Sequence, residues 1–538
     1  MSAPVEGSGE HHDVLVIGAG AAGAAFTWRL AEAGIDVICL DRGEWPVPGA
    51  YATASADWET RRLRDWNPNP NVRNNLADYP IADDTSPIKP ILFNGIGGST
   101  VLWSAHTPRF HPSDFRVHTL DGVGIDWPIT YWDLEPYYDI NDRIMGVCGI
   151  AGDPANPPRS PRPTPPLPLG PAGLRIASAF DALGWHWWPS DGAIISQDYD
   201  DRLGCNHCGP CELGCPRGAK ASTDITYWPK AIRNGARVIT GAAVSEITMS
   251  RAGLATGATW FAADGTQHHT SADVVVVAAS GIGTPRLLLH SGDRHGLANS
   301  SGLVGRNLML HPIAAATGVF ADSVESFIGN DGFSLLSQEF YETAPDRGFV
   351  RGYGVQVTRG QGPLVTSLGG FNLDIPWGAG HHARFEELFG RVATMAITCE
   401  DLPNPANRIV LDHELTDRFG VPAPRMHYQL DSNSEAMITH GLATSRRVLE
   451  QAGCVEVLEK RLIDQAGFHL MGTCRMGIDS ATSVVDHRCR AHDVANLLVV
   501  DASVFATAAA VNPTPTLQAI ALRAADLLLA DRAAMSVP

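Results

Sequence analysis

Residues 13–41, DVLVIGAGAAGAAFTWRLAEAGIDVICLD, constrain the fold of this chain more than any other stretch. A short apolar run is followed at once by Gly18, Gly20 and Gly23, then by an alanine-rich segment that closes at Gly34, then by a second apolar run. The order reads as strand, glycine turn, helix and parallel strand. Without side chains at Gly18 and Gly20 a phosphate can approach the helix N-terminus, where unpaired amides and the helix dipole favour negative charge; Gly23 lets helix and strand pack closely. Ala22 lies inside the same turn. Asp41 ends the second strand 18 residues after Gly23, where a carboxylate accepts the hydroxyls of an adenosine ribose. The unit is built for a dinucleotide, and FAD and NAD both fit it.

Residues 272–289, ADVVVVAASGIGTPRLLL, repeat the pattern of buried strand, turn and helix, which places both segments in one parallel sheet. From about 313 to 463 the texture changes to short β-prone pieces such as GYGVQVT, ATMAITCE and NRIVLD, separated by Gly, Pro and Asn. These predict a second domain on a mainly antiparallel sheet. NLLVVDAS then returns to a strand, and a long helix runs from about Thr514 to Asp531. Nine prolines within residues 151–173 exclude a helix or a central strand there and predict an extended linker or wrapping loop.

Charge narrows the partners. The 40 Lys plus Arg stand against 58 Asp plus Glu, and a net charge of −18 repels nucleic-acid backbones and anionic lipid surfaces but leaves small neutral substrates unaffected. The N-terminus MSAPVEGSGEHHDVLVIG shows neither a basic region before an apolar stretch nor a twin arginine, and no apolar run approaches the span of a bilayer. A cytoplasmic protein is expected.

Ten cysteines are too sparse for a disulfide scaffold, and six of them, Cys39, Cys148, Cys399, Cys454, Cys474 and Cys489, read as scattered small hydrophobes. The other four, Cys205, Cys208, Cys211 and Cys215 in CNHCGPCELGCP, have the spacing of a bacterial ferredoxin run. In such runs the fourth cysteine serves a second cluster and a second run supplies the missing ligand; this chain has no second run. Unligated thiols or a local disulfide are therefore the default, with an iron–sulfur cluster or zinc as alternatives, and no metal is assigned. Without a cluster, electrons must pass from a bound flavin directly to oxygen, a quinone or another acceptor.

A second glycine turn separates the two dinucleotides. In NGIGGSTVLWSAHTPRFHPSDF, residues 94–115, Gly95, Gly97 and Gly98 precede Ser99 and Thr100, offering amides and hydroxyls to another part of a long cofactor. Together with DWPITYWDLEPYYD (126–139), GCPRGAKAST (214–223), VVVAASGIGTPRLLLHSG (275–292), GLVGRNLMLHP (302–312) and FHLMGTCRMG (468–477), it resembles the glucose-methanol-choline (GMC) oxidoreductase family over nearly the whole chain. Within that family GGSTVLWSAHTPRF and GCPRGAKAS are most similar to pyranose oxidases and bacterial C-glycoside 3-oxidases.

The resemblance implies an α/β architecture: a Rossmann-like FAD-binding domain with a parallel sheet from residues 11–110, 205–312 and 464–535, and a substrate domain on a mainly antiparallel sheet from 111–204 and 313–463. It implies FAD rather than NAD, with Gly97, Gly98, Ser99 and Thr100 along the flavin. His469 in FHLMGTC matches the family's active-site histidine, which as neutral imidazole takes the proton of a substrate hydroxyl while hydride leaves the carbon. Asn512 in VNPTPTLQAIAL matches the partner that holds the hydroxyl in place.

Read as residues alone, one histidine among 20 is ordinarily structural, and Asn512 before Pro513 looks like a helix cap with proline in the first turn. The cap and the catalytic role are compatible if the final helix opens toward the flavin and its positive end stabilises the reduced ring. Val244 matches a position whose backbone meets the adenine, Asp501 one whose main chain meets the ribityl or phosphate region, and Thr514 follows Asn512 by the family's spacing; each reads equally as a strand or cap residue.

One departure concerns attachment. Fungal pyranose oxidases bond the flavin to a histidine that precedes the tryptophan, whereas here Leu102 precedes Trp103, so FAD is expected to be held non-covalently. The function implied is oxidation of a secondary ring hydroxyl of a sugar or glycoside, at C2 or C3, to a ketone, with some of the 13 tryptophans stacking on sugar faces. Sterol or simple alcohol oxidation within the family, and a flavin/iron–sulfur electron carrier outside it, are the alternatives.

Overall fold

The two apolar runs of the opening unit form the parallel strands His11–Ile17 and Val37–Leu40, joined by the helix Ala21–Glu32. The computed structural model in which they are seen describes residues 10–330, 334–370, 373 and 375–535. Val14, Leu15 and Val16 are wholly buried, as a strand covered on both faces requires. The helix is rich in alanine because it is covered as well: Ala24, Ala25 and Phe26 are inaccessible, and the final helix, Thr514–Met535, packs along it.

Strand order in this sheet is Arg237–Ile239, Val37–Leu40, His11–Ile17, Gln267–Val277, Ala255–Phe261, Ala243–Met249. The long strand Gln267–Val277 runs parallel to the opening strand along one edge. Its other edge is shared between antiparallel Ala255–Phe261 and parallel Leu497–Val499. The strand, turn and helix expected from residues 272–289 are present as Gln267–Val277 and Ser280–His290.

The second sheet is antiparallel throughout, in the order Cys454–Lys460, Ile313–Phe320, Val392–Cys399, Tyr353–Thr358, Leu335–Ser337, Trp188–Pro189. Helices Gly170–Leu183 and Ser432–Gln451 cover one face, and Tyr353, Val355 and Val357 point into that layer. Each fully buried side chain there contributes about 1.5–3 kcal/mol. The period of two then sends Gly354 and Gln356 to the opposite face. A β-carbon on Gly354 would lie 2.7 Å from the carbonyl oxygen of Ala510, so the missing side chain allows this strand to approach residues 508–512.

Two expectations need correction. NRIVLD does not join the six-stranded sheet: Arg408–Thr416 pairs with Pro422–His427 in a separate two-stranded sheet, and this hairpin packs on the helix Ser280–His290 through Ile409, Met426 and Ile282. The proline-rich segment is also not extended to its end, because the helix Gly170–Leu183 begins inside it with Pro171 in the first turn. Proline is tolerated there because the first amides of a helix have no intrahelical acceptor.

Candidate active site

Open parallel sheets bind ligands beyond the carboxyl ends of their strands. Here Gly18, Asp41, Ala278 and Asp501 each follow such an end, and all four line one cavity of about 690 Å³. Gly20, Ala22, Gly98, Ser99, Thr100 and Val244 also belong to its wall, as do Leu102, Asn512 and Thr514. Gly23 and Gly97 build the turns from behind. A β-carbon on Gly23 would fall 1.9 Å from the carbonyl oxygen of Gly18, and the Gly97 amide donates to the carbonyl of Ala19 at 3.0 Å. The two glycine turns touch: Gly98 has φ +53°, and a β-carbon there would meet the Gly20 Cα at 2.7 Å.

The charge pattern suits an anion flanked by polar groups. The helix Ala21–Glu32 starts at Gly20 with no side chain capping its amides, and the first residues of the helices Ser280–His290 and Thr514–Met535 face the same cavity, which leaves amide dipoles for a pyrophosphate and a flavin. Asp41 accepts the amides of Ala19 at 2.8 Å and Gly43 at 2.9 Å, one on each carboxylate oxygen, and keeps a second lone pair on each for ribose hydroxyls. Burial raises its pKa against those two bonds. The side chain of Asp501 is used otherwise: it accepts the amides of Ser280 and Ser503 and the hydroxyl of Thr284, tying the strand end to the neighbouring helix.

Lys220, within the GCPRGAKAST segment, was not singled out from the sequence. Its buried ammonium donates to the carbonyls of Thr100, Val101 and Trp103 and so holds the second glycine turn from below, while burial lowers its pKa. The cradle of turns, helix ends and carboxylate fits FAD.

At the same cavity His469 and Asn512 meet: the Nδ2 of Asn512 is 3.3 Å from the Nε2 of His469. Three residues not identified from the sequence complete the cluster. The carboxamide oxygen of Asn512 accepts Gln356 Nε2 at 2.7 Å and lies 3.0 Å from His106 Nδ1, and the Nδ1 atoms of His311 and His469 are 2.9 Å apart. These bonds correct the expected cap, since the Asn512 side chain is turned into this cluster rather than over the amides of the helix that starts at Thr514. Burial pulls His106 and His311 down to about 4, and it holds His469 well below the ordinary histidine value, reinforced by the two neighbouring imidazoles. All three rings are therefore neutral at neutral pH.

Sequence signals for the missed residues existed but were ambiguous. His311 ends the quoted 302–312 stretch, His106 lies in the second glycine-turn stretch, and Gln356 is a polar residue in an apolar strand. Of the tryptophans, Trp103 lines the cavity.

The cysteine run lies beside the site. Glu212 and Leu213, between Cys211 and Cys215, line the cavity, and Glu212 pairs with Arg62 at 3.2 Å. Cys208 is exposed and Cys205, Cys211 and Cys215 are half-buried, and none of the ten cysteines is joined in a disulfide. Among the described residues no group of three or more His, Cys, Asp or Glu side chains is arranged to hold a metal ion, and no helix is long and apolar enough to cross a membrane.

Comparison with known proteins matches residues 178–313 and 403–521 to the two family models described as GMC oxidoreductase, and residues 16–79 to the NAD(P)-binding Rossmann-like domain. The chain is 42% identical over 532 residues to the 2-methyl-1,2-propanediol dehydrogenase of Mycolicibacterium austroafricanum, covering 97% of this chain and 96% of that one. It is 31% identical to the fructose dehydrogenase large subunit of Gluconobacter japonicus, covering 96% and 98%. Among solved structures, the formate oxidase of Aspergillus oryzae superposes with a TM-score of 0.70 at 16% identity over 97% of this chain and 99% of that one, a likeness of fold.

Proposed function

This chain belongs to the GMC oxidoreductase family, and from that premise we propose that it oxidises a secondary ring hydroxyl of a sugar or glycoside, at C2 or C3, to a ketone, with oxygen or a quinone as the final electron acceptor. Bound FAD supplies the hydride acceptor. His469 takes the hydroxyl proton, and Asn512 donates from Nδ2 to the same oxygen, so the substrate is held where its O–H and C–H bonds break together. Burial keeps His469 neutral. The observation that carries this reading is the meeting of His469 and Asn512 in the wall of the same cavity that the two glycine turns open into. The division into a discontinuous FAD domain and a substrate domain with the boundaries given above is part of the proposal.

Trp103 offers a flat apolar face for a sugar ring, and the fructose dehydrogenase relative supports a sugar. A second reading, a small vicinal diol, is favoured by the 42% identical relative, a 2-methyl-1,2-propanediol dehydrogenase. Anaerobic mixing separates them. Sugars, C- and O-glycosides, 2-methyl-1,2-propanediol and a sterol are added in turn while the visible flavin band is followed. Bleaching by sugars or glycosides supports the first reading, bleaching by the diol alone replaces it with the second, and no bleaching by any alcohol removes both.

Leu102 in the cavity wall carries no atom able to bond the flavin ring. Acid precipitation is therefore expected to leave a white pellet under a yellow supernatant; a pellet that stays yellow after washing contradicts non-covalent attachment.

A further inference from the structure

His311 lies behind His469, outside the cavity wall, and is wholly buried. Its backbone is in the left-handed region at φ +57°, as is that of Ala509 at +60°, and neither is glycine. Such a conformation is strained for a residue with a β-carbon and persists only where the surroundings impose it. Here they do. The amide of Leu310 is held by the buried carboxylate of Asp401, which also accepts the hydroxyl of Tyr428. The chain then passes from Pro312 directly into the strand Ile313–Phe320. The result is an imidazole with a partner on each nitrogen.

The polarity of these contacts can be worked out from one end. His311 Nε2 lies 2.7 Å from the carbonyl oxygen of Ala509 and 3.2 Å from that of Ala508. Carbonyl oxygens only accept, so Nε2 carries the proton. The ring is neutral, so its Nδ1 is bare. His469 Nδ1, 2.9 Å away, must then be the donor, because two facing lone pairs repel. A neutral His469 with its proton on Nδ1 has a bare Nε2, the atom that faces Asn512. Nδ2 of Asn512 donates toward it, and the oxygen of Asn512 receives Gln356 and His106. Every bond points the same way, toward the carbonyl of Ala509. The opposite tautomer of His469 would need His311 doubly protonated in a buried site.

We propose that His311 is a positioning residue that sets the tautomer of His469, keeping the proton on Nδ1 so that Nε2 is free to accept the proton of the substrate hydroxyl. The inference rests on the reading of His469 as the base. In the step, the O–H proton moves to His469 Nε2, the Nδ1 proton stays in its bond to His311, and the two electrons of the C–H bond leave with hydride to bound FAD. Gln356 and His106 act at the other end: by donating to the oxygen of Asn512 they turn its NH₂ toward the base.

The test uses the FAD-loaded protein with His311→Leu, His311→Asn and His311→Gln. Glutamine places an amide donor toward Ala509 and an amide oxygen toward His469, reproducing both bonds. Asparagine is tolerated at positive φ but is too short to reach both partners. D-Glucose, D-fructose and 2-methyl-1,2-propanediol serve as probes in anaerobic single-turnover flavin reduction. The Leu and Asn variants should lose about 10²–10³-fold in the limiting rate, as expected for a base in the wrong tautomer, while half-saturation changes less than about tenfold. His311→Gln should recover to within about tenfold of the native rate.

Flavin content and thermal melting identify any variant that does not fold; if the Leu variant fails, the Asn and Gln pair carries the comparison. Nitrogen NMR of histidine-labelled protein, in which protonated and bare ring nitrogens resonate far apart, should show His469 protonated at Nδ1 in the native chain and a mixture in His311→Asn. Native reduction rates in the Asn or Leu variant, a Gln variant as slow as Asn, or an unchanged tautomer would overturn the inference. His469→Ala run in parallel tells the two failures apart: if it too reduces normally, the base itself is wrong; if it is slow while the His311 variants are fast, only the role of His311 falls.

Discussion

His469→Ala is expected to keep its yellow cofactor and to lose about 10²–10⁴-fold in the rate of flavin reduction by substrate, the usual contribution of a positioned general base. The cofactor should stay because the glycine turns, Asp41 and the three helix ends that form its cradle are untouched. The pH dependence follows from the same burial. The proposed base acts as the neutral imidazole, and desolvation together with His311 and His106 lowers the pKa of His469, so the acid limb of flavin reduction by the native enzyme should lie well below the ordinary histidine value of about 6.5. Stopped-flow reduction across pH measures both. A limb at the ordinary value would mean that His469 is solvated, and normal reduction in the alanine variant would remove it as the base.

The second large effect is expected at Gly98. An alanine there must hold φ +53° and place its β-carbon 2.7 Å from the Cα of Gly20, which is backbone and cannot swing aside. The left-handed conformation costs about 1–2 kcal/mol, and forcing the two turns apart adds about 1–3 kcal/mol. Because both turns line the cofactor cradle, the displacement should be felt first in binding: Gly98→Ala is expected to purify largely free of flavin and to melt earlier than the native protein. Gly34→Ala is the control, since Gly34 has a similar φ of +78° but nothing near its missing β-carbon. It should lose only about 1–2 kcal/mol and retain full flavin. Equal flavin content in both variants would show that contact between the turns does not shape the cradle.

The cradle was legible because it is local. Gly18, Gly20, Gly23 and Asp41 lie within one strand, helix and strand, where chain connectivity and the parallel pairing of 14–17 with 37–40 leave little freedom. Resemblance added His469 and Asn512. Their partners were not legible, for separate reasons. Gln356 looks like an interruption in an apolar strand until Tyr353, Val355 and Val357 are seen packed on the other face. His106 and His311 sit in stretches whose glycines and prolines draw attention first, and neither carries a local signal of its destination. Asn512 did carry one, Pro513 behind it, and it misled: proline in a first turn makes the preceding residue look like a cap whatever its side chain does. NRIVLD has the composition of a sheet strand and forms one, but composition does not say with which partner it pairs.

The sequence by itself determined the dinucleotide unit, the antiparallel second sheet and the family, because backbone geometry, burial on both faces of a parallel strand and close approach to phosphate each restrict residue type at fixed spacing. Only the tertiary structure decided which nitrogen of His469 is bare. That depends on five side chains from five separate segments, residues 106, 311, 356, 469 and 512, arriving within hydrogen-bond distance of one another and of a single carbonyl at Ala509. Hydrogen-bond direction is set by angstrom-scale placement, which sequence spacing across hundreds of residues does not encode.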